Sequence, residues 1–151
     1  MREPVSELSD HLGYWLRYVS NHVSQSFAAK VEGKGVSVAE WVLLRALYGA
    51  DAMSPSRLAG ELGMTKGAIT KIVDRLVARK MVSRRPDPSD GRGQSISLTA
   101  SGARLTPELA ALADRNDQEH FAKLSASDRK TLRRLLQQLV KDAGMKTVPT
   151  E

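Results

Sequence analysis

Nine basic residues fall within 42 positions, from Met64 to Leu105: Lys66, Lys71, Arg75, Arg79, Lys80, Arg84, Arg85, Arg92 and Arg104. Only three carboxylates, Asp74, Asp87 and Asp90, share that stretch. The rest of the chain holds fourteen basic and fourteen acidic residues, so the whole net charge of +6 sits in this one segment. Ammonium and guanidinium groups at this density neutralise phosphates and displace condensed counterions. A basic run alone more often marks a solvated face. Here it coincides with a helix followed by a hairpin, the electrostatic footprint of a nucleic-acid site.

Groupings that would carry catalysis are missing from the sequence. It has no Gly-rich phosphate loop, no His-Glu-x-x-His and no cysteine nucleophile. With no cysteine, disulfides, thiol redox sensing and cysteine metal sites are excluded. His11 and His22 stand eleven apart on one predicted helix, roughly 16 Å along its axis, too far to share a metal within one chain. A site joining a first-helix histidine to His120 stays open. The expectation is a protein without enzyme activity or cofactor.

The elements that position the basic groups are legible from periodicity. Ile69, Ile72, Val73, Leu76 and Val77 recur at helical spacing and predict a helix from Lys66 to about Lys80, capped by Thr65. Ser54-Pro55 opens a short helix before it, and Gly63 makes the turn between them, a helix-turn-helix pattern. After it, Ser95-Ile96-Ser97-Leu98 alternates as a half-buried strand does, so Arg84 to Thr99 reads as a two-stranded wing.

Amphipathic helices flank this module. Leu8 to Lys30 carries the stripe Leu8, Leu12, Trp15, Leu16, Val19, Val23 and Phe27, with Ser6 or Ser9 as its cap. Gly33-Lys34-Gly35 breaks it, and Ser37 and Glu40 have capping-box spacing at the start of the next helix. Thr99 caps a long helix from Ala100 to about Leu124, where Pro107 removes a backbone donor and predicts a bend. Ser125 to Asp128 reads as another capping box before a last helix bearing Leu132, Leu135, Leu136, Leu139 and Val140. The tail from Met145 to Glu151 is expected to fray. The apolar stripes at both ends need a partner, and a second copy is the simplest one. The expected domains are residues 1–34 for dimerisation, 35–99 for the winged helix-turn-helix, and 100–151 for dimerisation again. No apolar run approaches the roughly 20 residues of a membrane span. The start also lacks a signal-peptide core, so the expected location is the cytoplasm.

With Ile69, Val73 and Leu76 buried, Gly67, Lys71, Asp74 and Ala78 point outward, flanked by Thr70 and Arg75. The small Gly67 and Ala68 permit close approach to a major groove. Ala68 suits a thymine methyl, Lys71 a guanine edge, and Thr70 a base or phosphate. Lys66 belongs to the same first turn. Thr65 divides evenly between a plain cap and a direct contact, and Asp74 reads best as an exposed ion pair. Arg92, between Gly91 and Gly93, suits a narrow minor groove, with Asp90 steadying it. Arg84 and Arg85 suit phosphates, which position without specifying sequence.

These residues resemble the MarR family of winged helix-turn-helix transcriptional regulators. The likeness rests on Thr70-Lys71-Ile72-Val73-Asp74-Arg75-Leu76, on Asp87-Pro88-Ser89-Asp90-Gly91-Arg92, and on Leu98-Thr99-Ala100-Ser101-Gly102. Gly91 replaces the first Arg of the family's Asp-Pro-x-Asp-Arg-Arg wing, and Lys80 stands where the family favours Gly. The resemblance implies a mainly α fold with a small β-wing, dimerised through its N- and C-terminal helices. It also implies double-stranded DNA with a palindromic operator as partner, repression, and release by a small aromatic or phenolic effector. By residue type, Trp15, Tyr18, Val19, Trp41 and Arg45 are the effector candidates, with Arg17 or Arg45 for a carboxylate; the alternative for both tryptophans is core packing. A metal-responsive regulator, or a winged-helix protein-interaction module without DNA binding, are the rival readings.

Overall fold

The computed structural model describes residues 1–151, apart from the side chains of Asp90 and Arg92. The elements run α1 (Leu12–Glu32), α2 (Val38–Leu47), α3 (Pro55–Leu62), α4 (Lys66–Ala78), β1 (Val82–Asp87), β2 (Asp90–Leu98), α5 (Ala100–Phe121) and α6 (Ala126–Asp142). Side-chain caps set several starts. Ser37 Oγ accepts from Glu40 N at 3.1 Å while Glu40 Oε1 accepts from Ser37 N at 3.2 Å, the full reciprocal box. Ser54, Thr65 and Thr99 each accept from the amide three residues on. Such a cap satisfies a donor that the first turn leaves unpaired and contributes about 1 kcal/mol. Ser125 Oγ accepts from Asp128 N at 3.0 Å, the serine half of the box expected there.

The first helix begins later than its apolar stripe suggests. Leu8–Asp10 form a 3₁₀ turn closed by reciprocal bonds between Glu7 and Asp10, and His11 is extended before α1 starts. Neither Ser6 nor Ser9 caps α1. Ser6 Oγ lies 3.3 Å from His11 Nε2, and the Ser9 carbonyl accepts from Trp15 Nε1 at 2.9 Å. The acidic bonds at Glu7 and Asp10 favour a tighter turn than the α-helix, and the stripe runs on across it.

α2, α3 and α4 enclose the core, whose fully buried members include Leu43, Leu44, Leu58, Ile69 and Leu76. The hairpin pairs Val82 with Leu98 and continues to Pro86 opposite Gln94, where the register shifts. Met53 adds a one-residue third strand: Met53 and Ile96 exchange both backbone bonds at 2.8 Å. Both side chains are buried, so the wing is pinned to the core at its base. Gly102 is required where α5 leaves the hairpin, because a Cβ there would lie 2.1 Å from the Met81 carbonyl oxygen.

α1 and α5 are joined by a polar cluster. Lys30 Nζ reaches Ser26 Oγ (2.9 Å), Asn116 Oδ1 (2.9 Å) and Glu119 Oε2 (2.8 Å). Asn116 Nδ2 in turn donates to the Val23 carbonyl at 3.1 Å. Asn116 is buried, so these bonds meet the cost of enclosing its amide. The hydrogen bond from Lys30 lowers the Glu119 pKa.

The ends of the chain differ from the middle. Leu12, Trp15, Leu16, Tyr18 and Val19 of α1 are exposed, as are Leu132, Leu135, Leu136, Leu139 and Val140 of α6. The tail departs from expectation: Val148 N donates to the Leu62 carbonyl and Thr147 Oγ1 to the Gly63 carbonyl, so this segment docks on the end of α3. α5 continues as one helix through Pro107.

Candidate nucleic-acid interface

α4 presents one clean face. Ile69, Ile72, Val73 and Leu76 are buried, while Thr65, Lys66, Gly67, Thr70, Lys71, Asp74, Arg75 and Ala78 are exposed. Ala68 is half-buried. The N-terminus of a helix carries partial positive charge and unpaired amides, so Lys66 adds to a site already suited to phosphate. Two hydroxyls on this face are already engaged. Thr65 Oγ1 accepts from Ala68 N at 3.1 Å as the cap, which leaves its own hydrogen available. Thr70 Oγ1 donates to the Lys66 carbonyl at 2.9 Å, so it offers DNA an acceptor and must rotate to donate.

The hairpin supplies a second basic surface. Arg84, Arg85, Pro86, Gly91, Gly93 and Gln94 line one concavity on it. The side chains of Asp90 and Arg92, assigned from sequence to the wing tip, lie outside the described residues. Gln94 was not visible as a candidate in the sequence; its place opposite Pro86 follows only from the strand register. A pairing of the hairpin's alternation with the basic pair would have been the signal for it.

Two of the basic groups are committed within the protein. Arg84 Nη2 pairs with Asp74 Oδ1, linking β1 to the outer face of α4. The ion pair anticipated for Asp74 is thus present, and its partner is Arg84, for which a phosphate contact is the expectation from sequence. Arg85 is exposed beside it. Arg79, just past α4, pairs with the buried Glu40 at 3.2 Å. That bond ties the end of the helix to the capping box of α2. Removing Arg79 would leave Glu40 enclosed without its partner.

The helix α4 ends in a left-handed residue. Lys80 holds φ +60°, with Met81 N donating to the Leu76 carbonyl at 2.9 Å and Lys80 N to Val77 at 2.9 Å. These bonds have the pattern that usually closes on glycine. Thr99 Oγ1 donates to the Lys80 carbonyl at 2.7 Å and fixes the crossing into α5.

The effector candidates do not converge within one chain. Trp41 packs edge-on against Phe27 at 6.4 Å between ring centroids. Trp15 is twelve residues before Phe27 on α1, roughly 18 Å along the helix axis. Trp15, Tyr18 and Val19 are exposed, with Tyr14 bridging the two aromatic rings. Arg45 lines a separate cleft with Tyr48, Thr106, Pro107 and Asp114 between α2 and α5. The rigid rise of α1 is what separates the two sets. His22 and His120 do meet, with ring centroids 5.1 Å apart, and His120 Nδ1 lies 2.7 Å from the Asn116 carbonyl. Among the described residues, no group of three or more potential ligands could hold a metal ion. No described helix is long and apolar enough to cross a membrane.

The sequence profile of the MarR family matches residues 34–93. The multiple antibiotic resistance protein MarR of Escherichia coli is 30% identical over 106 residues, spanning 70% of this chain and 74% of that protein. An HTH-type transcriptional repressor of Mycobacterium tuberculosis is 28% identical over 131 residues, spanning 87% and 94%. Among solved structures, a mutant Escherichia coli MarR complexed with operator DNA superposes with TM-score 0.77 at 28% identity, over 85% of this chain and 93% of that one. A probable transcriptional regulator from Pseudomonas aeruginosa gives TM-score 0.77 at 30% identity, over 88% and 99%.

Proposed function

The chain belongs to the MarR family, and from that premise we propose that it represses transcription as a homodimer on a palindromic operator. The observation that carries the reading is the coincidence of charge and geometry. The entire +6 net charge lies on the helix-and-wing segment, and α4 turns Lys66, Gly67, Thr70, Lys71 and Arg75 outward from a closed core. Lys71 and Ala68 are the base-reading residues of this proposal. Thr65, Lys66, Arg75 and Arg85 hold phosphates, and Arg92 enters the minor groove, the role for which its glycine-flanked position in the sequence suits it.

The exposed stripes support dimerisation. Leu12, Trp15 and Leu16 at one end, and Leu135, Leu136 and Leu139 at the other, leave a large apolar surface for a second copy. Two-fold symmetry then places the recognition helices about one duplex turn apart, so half-sites are centred about 10 bp apart. The cleft beside Arg45 and Tyr48 suits a small aromatic acid, with the guanidinium for its carboxylate and the phenol ring for its face. Trp15, Tyr18 and Val19 do not line that cleft within one chain.

A salt titration of binding to cognate and scrambled duplexes tests the core of this. If each lobe neutralises about 3–4 phosphates, the log–log slope is about −5 to −7. Binding without salt dependence, or a clean 16.5 kDa monomer by light scattering at micromolar concentration, would sink the reading.

A further inference from the structure

The segment after α6 is held at named atoms. Val148 N donates to the Leu62 carbonyl at 3.0 Å, and Thr147 Oγ1 donates to the Gly63 carbonyl at 2.9 Å. Val148 also packs against the buried core. The carbonyls at a helix C-terminus have no partner within the helix. Here Leu62 is the last residue of α3 and Gly63 its left-handed cap, and the tail supplies donors to both. Gly63 has φ +63°, and a Cβ there would lie 2.3 Å from the Lys146 carbonyl oxygen and 2.8 Å from Thr147 Cα. Backbone has no room to retreat at such distances. The glycine therefore serves two needs, the turn and the close passage of the tail.

The location gives this contact its consequence. Gly63 is the turn of the helix-turn-helix, and α4 begins at Lys66 immediately after it. On the other side, the tail issues directly from α6, which is exposed along its length with its apolar stripe facing outward. α6 is therefore fastened to the DNA-reading module at the turn from which α4 departs.

We propose that Lys146–Val148 is a strap that positions the recognition helix. It fixes α6 to the turn between α3 and α4, and so transmits the geometry of the dimer to the separation of the two α4 helices. Thr147 and Val148 are positioning residues that act through Gly63 and touch no DNA. The proposal rests on the reading of the protein as an operator-binding dimer, and its test has one arm that needs no DNA.

The first arm is amide hydrogen exchange on the full-length chain. The Val148 amide is expected to exchange at least about tenfold more slowly than an unstructured tail amide. Gly63→Ala drives a methyl into the Lys146 carbonyl and should abolish that protection. Should Gly63→Ala fold poorly, Thr147→Val keeps the side-chain shape, removes only the hydroxyl donor, and should also lower it. An unprotected Val148 amide in the wild type, or full protection in both variants, overturns the strap. The second arm measures affinity for operators whose half-sites are one base pair nearer or farther apart. Wild type should prefer one spacing, and Thr147→Val should flatten that preference by about fivefold, the factor one ordinary hydrogen bond represents. An unchanged preference with Val148 deprotected overturns the positioning role. A wild type indifferent to any duplex would overturn the functional reading and the positioning role with it, while exchange still decides whether the strap is docked.

Discussion

Asp74→Asn should make the protein bind DNA more tightly and more salt-sensitively. In the wild type Asp74 sits on the outer face of α4 and holds Arg84. The pair is solvent-accessible, with side-chain exposures of 56% for Asp74 and 30% for Arg84. Exposed pairs contribute about 0–1 kcal/mol to stability, so the fold should survive the change with little loss. The electrostatic effect on binding is larger. Asparagine keeps the shape, removes a negative charge from the exposed face of α4, and frees one guanidinium per lobe for a phosphate. Each phosphate neutralised steepens the log–log salt slope by about 0.9, so a dimer gaining one per lobe steepens it by about 1.8. Between 50 and 200 mM salt the advantage of Asp74→Asn over wild type should then shrink by about twelvefold. Fluorescence anisotropy on cognate and scrambled duplexes at four or more salt concentrations reads both quantities. The tightening should appear on both duplexes, because phosphate contacts carry no sequence information. An unchanged slope would show that Arg84 does not reach DNA when released. A weaker, flatter titration would mean instead that the ion pair orients Arg84 or the wing for binding, and the reasoning would be refuted.

Lys80→Gly should stabilise the protein relative to Lys80→Ala, since Lys80 holds φ +60°. A left-handed residue with a Cβ costs about 1–2 kcal/mol, partly offset by the greater freedom of glycine when unfolded. A net gain of about 1 kcal/mol raises Tm by about 2–4 °C, and calorimetry on both variants, which lose the same charge, reads the backbone effect alone. Lys71→Ala should lose affinity mainly on the cognate duplex; equal loss on the scrambled one would reassign Lys71 to a phosphate. Arg92→Ala should weaken cognate binding at fixed salt more than loss of an average surface charge does, and an unchanged affinity would remove it from the minor groove. Finally, the Lys30 hydrogen bond lowers the Glu119 pKa, so its contribution to stability is present above the ordinary value of 4.5 and lost as pH falls through the folded-state value. Urea unfolding of wild type and Glu119→Gln should therefore converge as pH drops below that value, and a constant gap would rule the linkage out.

What the sequence determined by itself was local or additive. Caps at Ser37, Ser54, Thr65 and Thr99 depend on residues three apart, and the buried face of α4 on a period of 3.6, so both can be read from a short window. Net charge adds regardless of fold, which is why the basic segment stood out before any geometry was known. The tertiary structure decided everything that joins distant positions. Asp74 and Arg84 meet only because β1 turns back along α4, and Arg79 finds Glu40 across 39 residues of sequence. The docking of Thr147 and Val148 on Leu62 and Gly63 spans 84 residues in the Thr147 bond, so a polar tail with no periodicity gave no sign of it. Three of the five proposed effector residues are aromatic, and the rise of α1 keeps Trp15 far from Trp41 in one chain. Residue type and local period propagate along the chain, whereas pairing of charges and enclosure of a ligand depend on distances that packing alone sets.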